Sequence, residues 1–182
     1  MINALVFFRK FANEIFGPIA RFLAKIRISA NMMTVISLLM GLTAVYFAFV
    51  ANYLYVWFVI LHFFCDMLDG EIARLTKPTI FGSWFDYFTD RSIILLLLVK
   101  AYFYANVPAG LYWAVICFFL IQHLVYILSA RKTIIIYSRA VALLLFMSDY
   151  YTETFVVLLT INVFGFVLQI IDLLPKKGGT KR

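Results

Sequence analysis

The chain has 182 residues, of which 65% are hydrophobic and 14% charged, and its mean hydropathy is +0.97. These values lie outside the range of soluble domains, and the length leaves room for one domain. A formal net charge of +7 is compatible with nucleic acid as a partner, but the basic residues fall at predicted helix ends and not along a soluble surface. The composition therefore predicts an integral membrane protein in contact with anionic lipid, and no nucleic-acid partner.

Residues 2–26 predict an amphipathic helix, interrupted near Pro18. Apolar residues such as Ile15 and Phe22 recur on one face, and basic residues such as Arg21 lie opposite. The segment lacks a continuous apolar stretch and a small-residue cleavage site, so we expect an interfacial helix that is not removed as a signal peptide. Two roles are open: a simple anchor, or a cover over a cytoplasm-facing site that helps a lipid head group to enter.

Six apolar runs follow, and they predict helices that cross a hydrocarbon core of about 30 Å. They fall at residues 31–50, 54–75, 83–103, 111–129, 133–148 and 154–174. The fifth is short and carries Ser138 and Arg139, which favours a helix that faces protein. The predicted fold is all-α: a polytopic membrane protein with six transmembrane helices plus an N-terminal amphipathic juxtamembrane helix. Its predicted parts are the interfacial helix (1–28), the six-helix domain (29–175) and a basic tail (176–182).

The distribution of basic residues predicts the orientation. Thirteen of the 16 Lys and Arg residues fall before the first span, in alternate connections or after the sixth span, all on one side. By the positive-inside rule, both termini are cytoplasmic. Tyr and Trp residues gather at the opposite side, as an interfacial aromatic belt does. We therefore expect a protein of the cell (inner) membrane, with its active site at the cytoplasmic face.

Four aspartates lie inside the second and third predicted spans: Asp66, Asp69, Asp86 and Asp90. Spacings of three and four residues place the acids of each span on one stripe, and antiparallel packing brings them to matching depths. A carboxylate at membrane depth is destabilising by roughly 3 kcal/mol, so such residues normally have a function. Because hard cations relieve the repulsion between carboxylates, the pattern predicts one or two divalent ions, Mg²⁺ or Mn²⁺. The alternative is an intramembrane carboxylate-based ion or proton transporter.

Two other residue types in these spans have simpler interpretations. His62 lies one turn deeper than Asp66 and is interpreted as a hydrogen-bonded interior residue, not a ligand. Cys65 and Cys117 fall inside predicted spans without metal-type spacing, so we expect reduced thiols.

The spacing of eight residues resembles the signature of the CDP-alcohol phosphatidyltransferases. They are Asp66, Asp69, Gly70, Ala73, Arg74, Gly82, Asp86 and Asp90. The resemblance implies six membrane helices, a homodimer and a metal site that opens to the cytoplasm. It also implies transfer of a substituted phosphate from a CDP-linked lipid donor, such as CDP-diacylglycerol, to a small alcohol acceptor, with release of CMP.

The resemblance also assigns roles to residues. It implies that Asp66, Asp69 and Asp86 hold a pair of metal ions, and that Asp90 touches the second ion and acts as the general base on the acceptor hydroxyl. The segment ISANMMT is similar to a Pro-Asn-x-x-Thr element of relatives, although Ala30 stands where Pro is usual. The residues implied in CDP-lipid binding are Asn31, Thr34, Asp69, Gly70, Ala73, Arg74 and Thr79. For Ser29 to Asn31, an ordinary helix N-cap is the alternative.

Basic residues in and after the third span bear on the identity of the acceptor. The ending Asp90-Arg91 resembles the branch that couples CDP-diacylglycerol to inositol phosphate, which favours a phosphorylated polyol. Candidate acceptor-binding residues are Arg91, Arg131, Lys132 and Arg139. For Arg131 and Lys132, positive-inside anchoring is the alternative. Glycerol 3-phosphate is a second possible acceptor, and an unphosphorylated alcohol such as serine or choline a third.

Overall fold

A computed structural model describes residues 2–129, 138–148 and 150–174, with side chains from residue 14 onward except that of Ser138. Over these ranges the chain forms seven helices and no strands, which confirms the predicted all-α class. The helices are α1 (Ile2–Lys25), α2 (Ala30–Phe47), α3 (Asn52–Thr76), α4 (Ile80–Tyr104), α5 (Ala109–Leu128), α6 (Ser138–Leu145) and α7 (Tyr151–Leu173).

Three of these helices, α2, α5 and α7, are long and apolar enough to cross a membrane. Helices α3 and α4 have 25 residues each, so at 1.5 Å per residue each is about 37 Å long. Both carry carboxylates and basic residues that lower their hydropathy. Helix α6 has eight residues, and the first part of the predicted fifth span lies outside the described residues. The count of six spans therefore stays a prediction.

Helix α1 continues through Pro18, so the predicted interruption at this residue is wrong. Proline inside a helix costs about 3 kcal/mol because it lacks a backbone donor and clashes with the preceding turn. Packing against α3 offsets this cost: Ala20 is completely buried in a cluster with Leu68 and Ile72, and Phe16 lies edge-on to Phe64. The burial of α1 against α3 thus outweighs the tendency of Pro18 to break the helix. The interfacial position of α1 stays a prediction.

A buried polar pair fixes α2 against α3. His62 Nδ1 lies 2.8 Å from Ser37 Oγ and 3.0 Å from the Ser37 carbonyl oxygen, and the Ser37 hydroxyl donates to the His62 carbonyl at 3.1 Å. Both residues are buried, which confirms His62 as a hydrogen-bonded interior residue. One turn along α2, Gly41 leaves room for Ile93 of α4. These contacts set the relative register of the helices that carry the aspartates.

Three residues join α3 to α4, and the first of them, Lys77, has a left-handed backbone with φ 87° and ψ 117°. A side-chain-bearing residue in such a sparsely populated region costs about 1–3 kcal/mol. The following Pro78 does not explain the conformation, because a proline favours a negative φ in the residue before it. Arg27 and Phe49 also have positive φ, but at 65° they are close to the ordinary left-handed well.

The chain divides into two compact units, one up to Leu97 and one from Leu98 onward. In the second unit α5 packs against α7, and the contact contains both aromatic and polar side chains. The rings of Tyr112 and Phe155 are in contact, tilted at 33° to each other with centroids 5.7 Å apart. Gln169 Nε2 donates to the main-chain carbonyl of Gln122 at 3.0 Å, and both glutamines are completely buried. Buried amides of this kind hold membrane helices together.

We expect Gly41→Ala to lower the free energy of unfolding by about 1–3 kcal/mol, because overpacking strains a filled core. A methyl group at this position would lie 2.3 Å from Ile93 Cδ1 and 3.3 Å from His62 Nδ1. Gly110→Ala is the matched control, since nothing lies within 4 Å of its new methyl group and alanine favours a helix. Thermal unfolding of both variants in one detergent checks this; equal melting temperatures would contradict the close approach of Ile93.

Candidate active site

Three of the predicted aspartates converge. Asp66 and Asp69 of α3 and Asp86 of α4 each offer a carboxylate oxygen, and these oxygens lie within 4.8 Å of one another. Asp69 is buried, whereas Asp66 and Asp86 are partly exposed. Oxygen ligands around a hard divalent cation at about 2.0–2.6 Å span similar distances. The donor set therefore fits such a cation, as the spacing in the sequence predicted.

The first turn of α2 reaches this cluster. Thr34 Oγ1 donates to Asp69 Oδ2 at 2.8 Å and lies 3.1 Å from the Ala30 carbonyl oxygen; its single proton favours the charged, closer acceptor. Ser29 caps the helix, because its Oγ accepts a hydrogen bond from the Met32 amide at 3.2 Å. The N-cap interpretation is therefore confirmed for Ser29. The positive end of the α2 dipole thus lies beside the acids.

A cavity of about 420 Å³ opens next to the aspartates. Six of the seven residues predicted to contact the CDP-lipid line it, namely Asn31, Thr34, Asp69, Gly70, Ala73 and Thr79. Asp86 lines it as well. The cavity is also lined by Ser29 and Ala30 of the ISANMMT segment and by Gly82 of the eight-residue signature. The volume falls in the range of small-molecule sites.

Sequence reasoning missed four further residues of the wall: Thr76, Lys77, Pro78 and Ser83. They lie in the connection between α3 and α4 or within one turn of it. The pair Lys77-Pro78 signals a helix end in the sequence, but nothing in it indicates that the connection folds over the cavity.

Two glycines serve the site in different ways. A Cβ at Gly82 would lie 2.8 Å from Asn31 Oδ1 and 3.0 Å from Thr79 Oγ1, so its absence lets α2 approach α4. Thr79 Oγ1 accepts a hydrogen bond from the Gly82 amide at 2.9 Å and so caps α4. A Cβ at Gly70 would meet only Arg74 Nη2, at 3.9 Å. Gly70 therefore keeps space open in the cavity.

Arg74 is paired with Glu71, a residue that sequence reasoning missed. The guanidinium donates from Nε to Glu71 Oε2 at 3.2 Å and from Nη2 to Oε1. The Glu71 side chain is 6% exposed and that of Arg74 55%. Among the described residues, Arg74 is the only hydrogen-bond partner of this buried carboxylate. The signal available in the sequence was a carboxylate inside a span, three residues before an arginine.

The remaining predicted residues lie in several places. Asp90 is buried and is not one of the three clustered aspartates. Arg91 Nη1 lies 3.3 Å from Asp90 Oδ2. The Cζ atom of Arg91 lies 4.4 Å from the centroid of the Tyr87 ring. Arg139 belongs to α6 in the second unit. The predicted acceptor-binding residues Arg131 and Lys132, and the basic tail, lie outside the described residues. Acceptor binding by these arginines and Lys132 stays a prediction.

Comparison with known families agrees with the geometry. The family model for CDP-alcohol phosphatidyltransferase matches residues 27–171, which include α2 to α6 and nearly all of α7. The chain belongs to this family. No curated protein and no solved structure matches the chain significantly. As a CDP-alcohol phosphatidyltransferase, the protein is a transferase of phospholipid biosynthesis, and it transfers a phosphatidyl group from a CDP-alcohol to an acceptor. This membership favours the enzyme over the ion transporter.

We expect Arg74→Ala to lower the free energy of unfolding by about 1–2 kcal/mol, because it leaves the buried Glu71 carboxylate without its donor. The double variant Glu71→Leu/Arg74→Ala removes both polar partners and should recover most of that loss. Arg21→Ala, which removes an exposed arginine from α1, is the control and should change little. Thermal unfolding of wild type, the Glu71→Leu and Arg74→Ala single variants and the double variant gives the coupling energy, and additive losses would argue against the pair.

Proposed function

We propose that the donor is CDP-diacylglycerol or a similar CDP-linked lipid, and that its phosphatidyl group passes to the hydroxyl of a small alcohol. The observation that carries this proposal is the convergence of Asp66, Asp69 and Asp86 beside the cavity. A cavity with carboxylates on one wall and the first turn of α2 on another suits a diphosphate bound together with a divalent cation.

Asp66, Asp69 and Asp86 would hold Mg²⁺ or Mn²⁺, with two ions as the expected number. Bound there, the ions would neutralise the donor diphosphate and stabilise the charge that develops on CMP. His and Cys do not belong to this group of ligands, so hard cations are favoured over zinc.

Asp90 would act on the acceptor. Its carboxylate takes the proton of the acceptor hydroxyl, and the acceptor oxygen forms a bond to the phosphorus that carries the diacylglycerol. The bond from that phosphorus to the oxygen of CMP breaks, and CMP leaves with the electron pair. The buried position of Asp90 in α4, one helical turn after the clustered Asp86, supports this role. No covalent enzyme intermediate is needed.

The donor would be held by the residues that line the cavity, and by Arg74, whose guanidinium lies next to the lining residue Gly70. Asn31, Thr34 and Thr79 offer polar atoms, while Gly70 and Ala73 leave room for the nucleotide. Glu71 uses two of the five N–H donors of Arg74, and the other three suit phosphate oxygens.

We infer a phosphorylated polyol, such as inositol phosphate or glycerol 3-phosphate, as the acceptor. Support comes from Arg91, Arg131, Lys132 and Arg139, whose N–H donors suit phosphate oxygens. We also infer a homodimer in the cell membrane with the site at the cytoplasmic face. The three apolar helices and the one-sided distribution of basic residues support the membrane location and the orientation, whereas the homodimer is inferred from the family alone.

Purified protein in lipid is expected to release CMP from CDP-diacylglycerol when Mg²⁺ and a suitable alcohol are present. EDTA should abolish the release and added Mg²⁺ or Mn²⁺ should restore it, because the bound ions would neutralise the donor diphosphate and stabilise the charge on the leaving CMP. CMP and lipid products are measured across a panel of inositol phosphate, glycerol 3-phosphate, inositol, serine and choline. No release with any acceptor would contradict the proposal, and EDTA-resistant release would contradict its metal site.

We expect Asp90→Asn to lower kcat at least about 100-fold while donor binding changes less than about threefold, because the amide cannot accept the proton. Glu153→Gln, which neutralises an exposed carboxylate in the first turn of α7, is the control and should keep wild-type kcat. Steady-state kinetics and direct binding of CDP-diacylglycerol separate the two effects. Full turnover by Asp90→Asn would remove Asp90 as the base.

A further inference from the structure

Lys77 occupies the most unusual backbone position in the cavity wall. Its φ of 87° is the largest among the described residues other than glycine, and the proline that follows favours a different conformation. Glycine would adopt this conformation without steric cost. A strained residue of this kind persists where the surrounding structure imposes it, and such residues cluster at functional sites.

The other two positive-φ residues provide a comparison. Arg27 and Phe49 are in turns beside α2, and neither lines the cavity. Lys77 differs from these two residues in two ways. Its backbone is farther from the left-handed well, and the residue forms part of the cavity wall. Anchoring to the membrane surface, the role of a basic residue at a helix end, does not require either feature.

The charges in the cavity wall indicate the class of ligand that Lys77 can bind. Lys77 is the only basic residue in its described lining, which also contains the carboxylates of Asp69 and Asp86. Within the described part of the chain Lys77 forms no ion pair, and it is exposed. By contrast, Arg74 and Arg91 are paired with Glu71 and Asp90. The ammonium group of Lys77 is thus available to an anionic ligand.

We propose that Lys77 binds a phosphate group of the CDP-linked donor, and that its strained backbone is retained because it keeps this cation at the cavity. The proposal rests on the proposed function, since the donor supplies the phosphate. Lysine suits this role as a compact charge with three rotatable donors on a flexible stem. Lys77 would bind and orient the donor and would transfer no proton.

The test is Lys77→Gly, which relieves the backbone and removes the cation in one change. Full-length protein in nanodiscs with Mg²⁺ is titrated with CDP-diacylglycerol, and thermal unfolding is measured in parallel. We expect a melting temperature equal to or above that of wild type, with donor binding about tenfold weaker. Lys77→Arg should retain most of the affinity. Arg27→Gly is the matched control, an exposed cation at positive φ outside the cavity, and should bind as wild type does.

The outcomes are distinguishable. Wild-type donor affinity in Lys77→Gly would overturn the inference and leave the proposed function standing. A wild type that neither binds CDP-diacylglycerol nor releases CMP would overturn both. Should Lys77→Gly fold poorly, Lys77→Asn replaces it, because asparagine tolerates positive φ and carries no charge; wild-type binding by that variant would equally overturn the inference. An equal loss in Arg27→Gly would also overturn it, because the loss would then follow from net charge.

Discussion

The repulsion between carboxylates in a largely apolar protein is the constraint on which the rest of the structure depends. Asp66, Asp69 and Asp86 present oxygens within 4.8 Å of one another, in helices whose other residues are mostly hydrophobic. Such a group is stable only where donors and cations compensate its charge. Thr34 provides one donor to Asp69, and the first turn of α2 lies beside it. The charge of the three carboxylates and the position of α2 are therefore linked at one place.

A single stripe of α2 makes this arrangement possible. Thr34, Ser37 and Gly41 are spaced by three and four residues, so they share one face, and all three are buried. Thr34 bonds to Asp69, Ser37 bonds to His62, and Gly41 admits Ile93 of α4. Each member of the stripe has its own partner, and together they fix where α2 lies against the helices that carry the aspartates. Small and hydroxyl-bearing residues suit this task, since they allow close approach and still form hydrogen bonds.

The basic side chains near the site fall into two groups, those paired with a carboxylate and one that carries its charge without such a pair in the described structure. Arg74 and Arg91 are each joined to a carboxylate close in sequence, so they contribute oriented N–H groups with little net charge. Lys77 carries its charge without such a partner in the described structure, and it lies on the wall of the cavity. In the proposed complex, Arg74, which lies next to Gly70, would orient the donor diphosphate, and Lys77 would supply net positive charge. This division reflects the two side chains, because a guanidinium forms a rigid fork and an ammonium is a point charge.

The sequence by itself determined the all-α class, the membrane-type composition and the stripes that carry Asp66, Asp69 and Asp86, because hydropathy and helical period are local properties of the chain. It also determined the family, since the motif residues have fixed spacing. Only the tertiary structure decided that α1 runs through Pro18, that Glu71 is buried against Arg74 and that Lys77 lines the cavity. These features depend on which faces of different helices meet and on the strain that packing imposes on a turn. Periodicity assigns residues to a face of their own helix, but the partner of that face is chosen by packing across the whole unit.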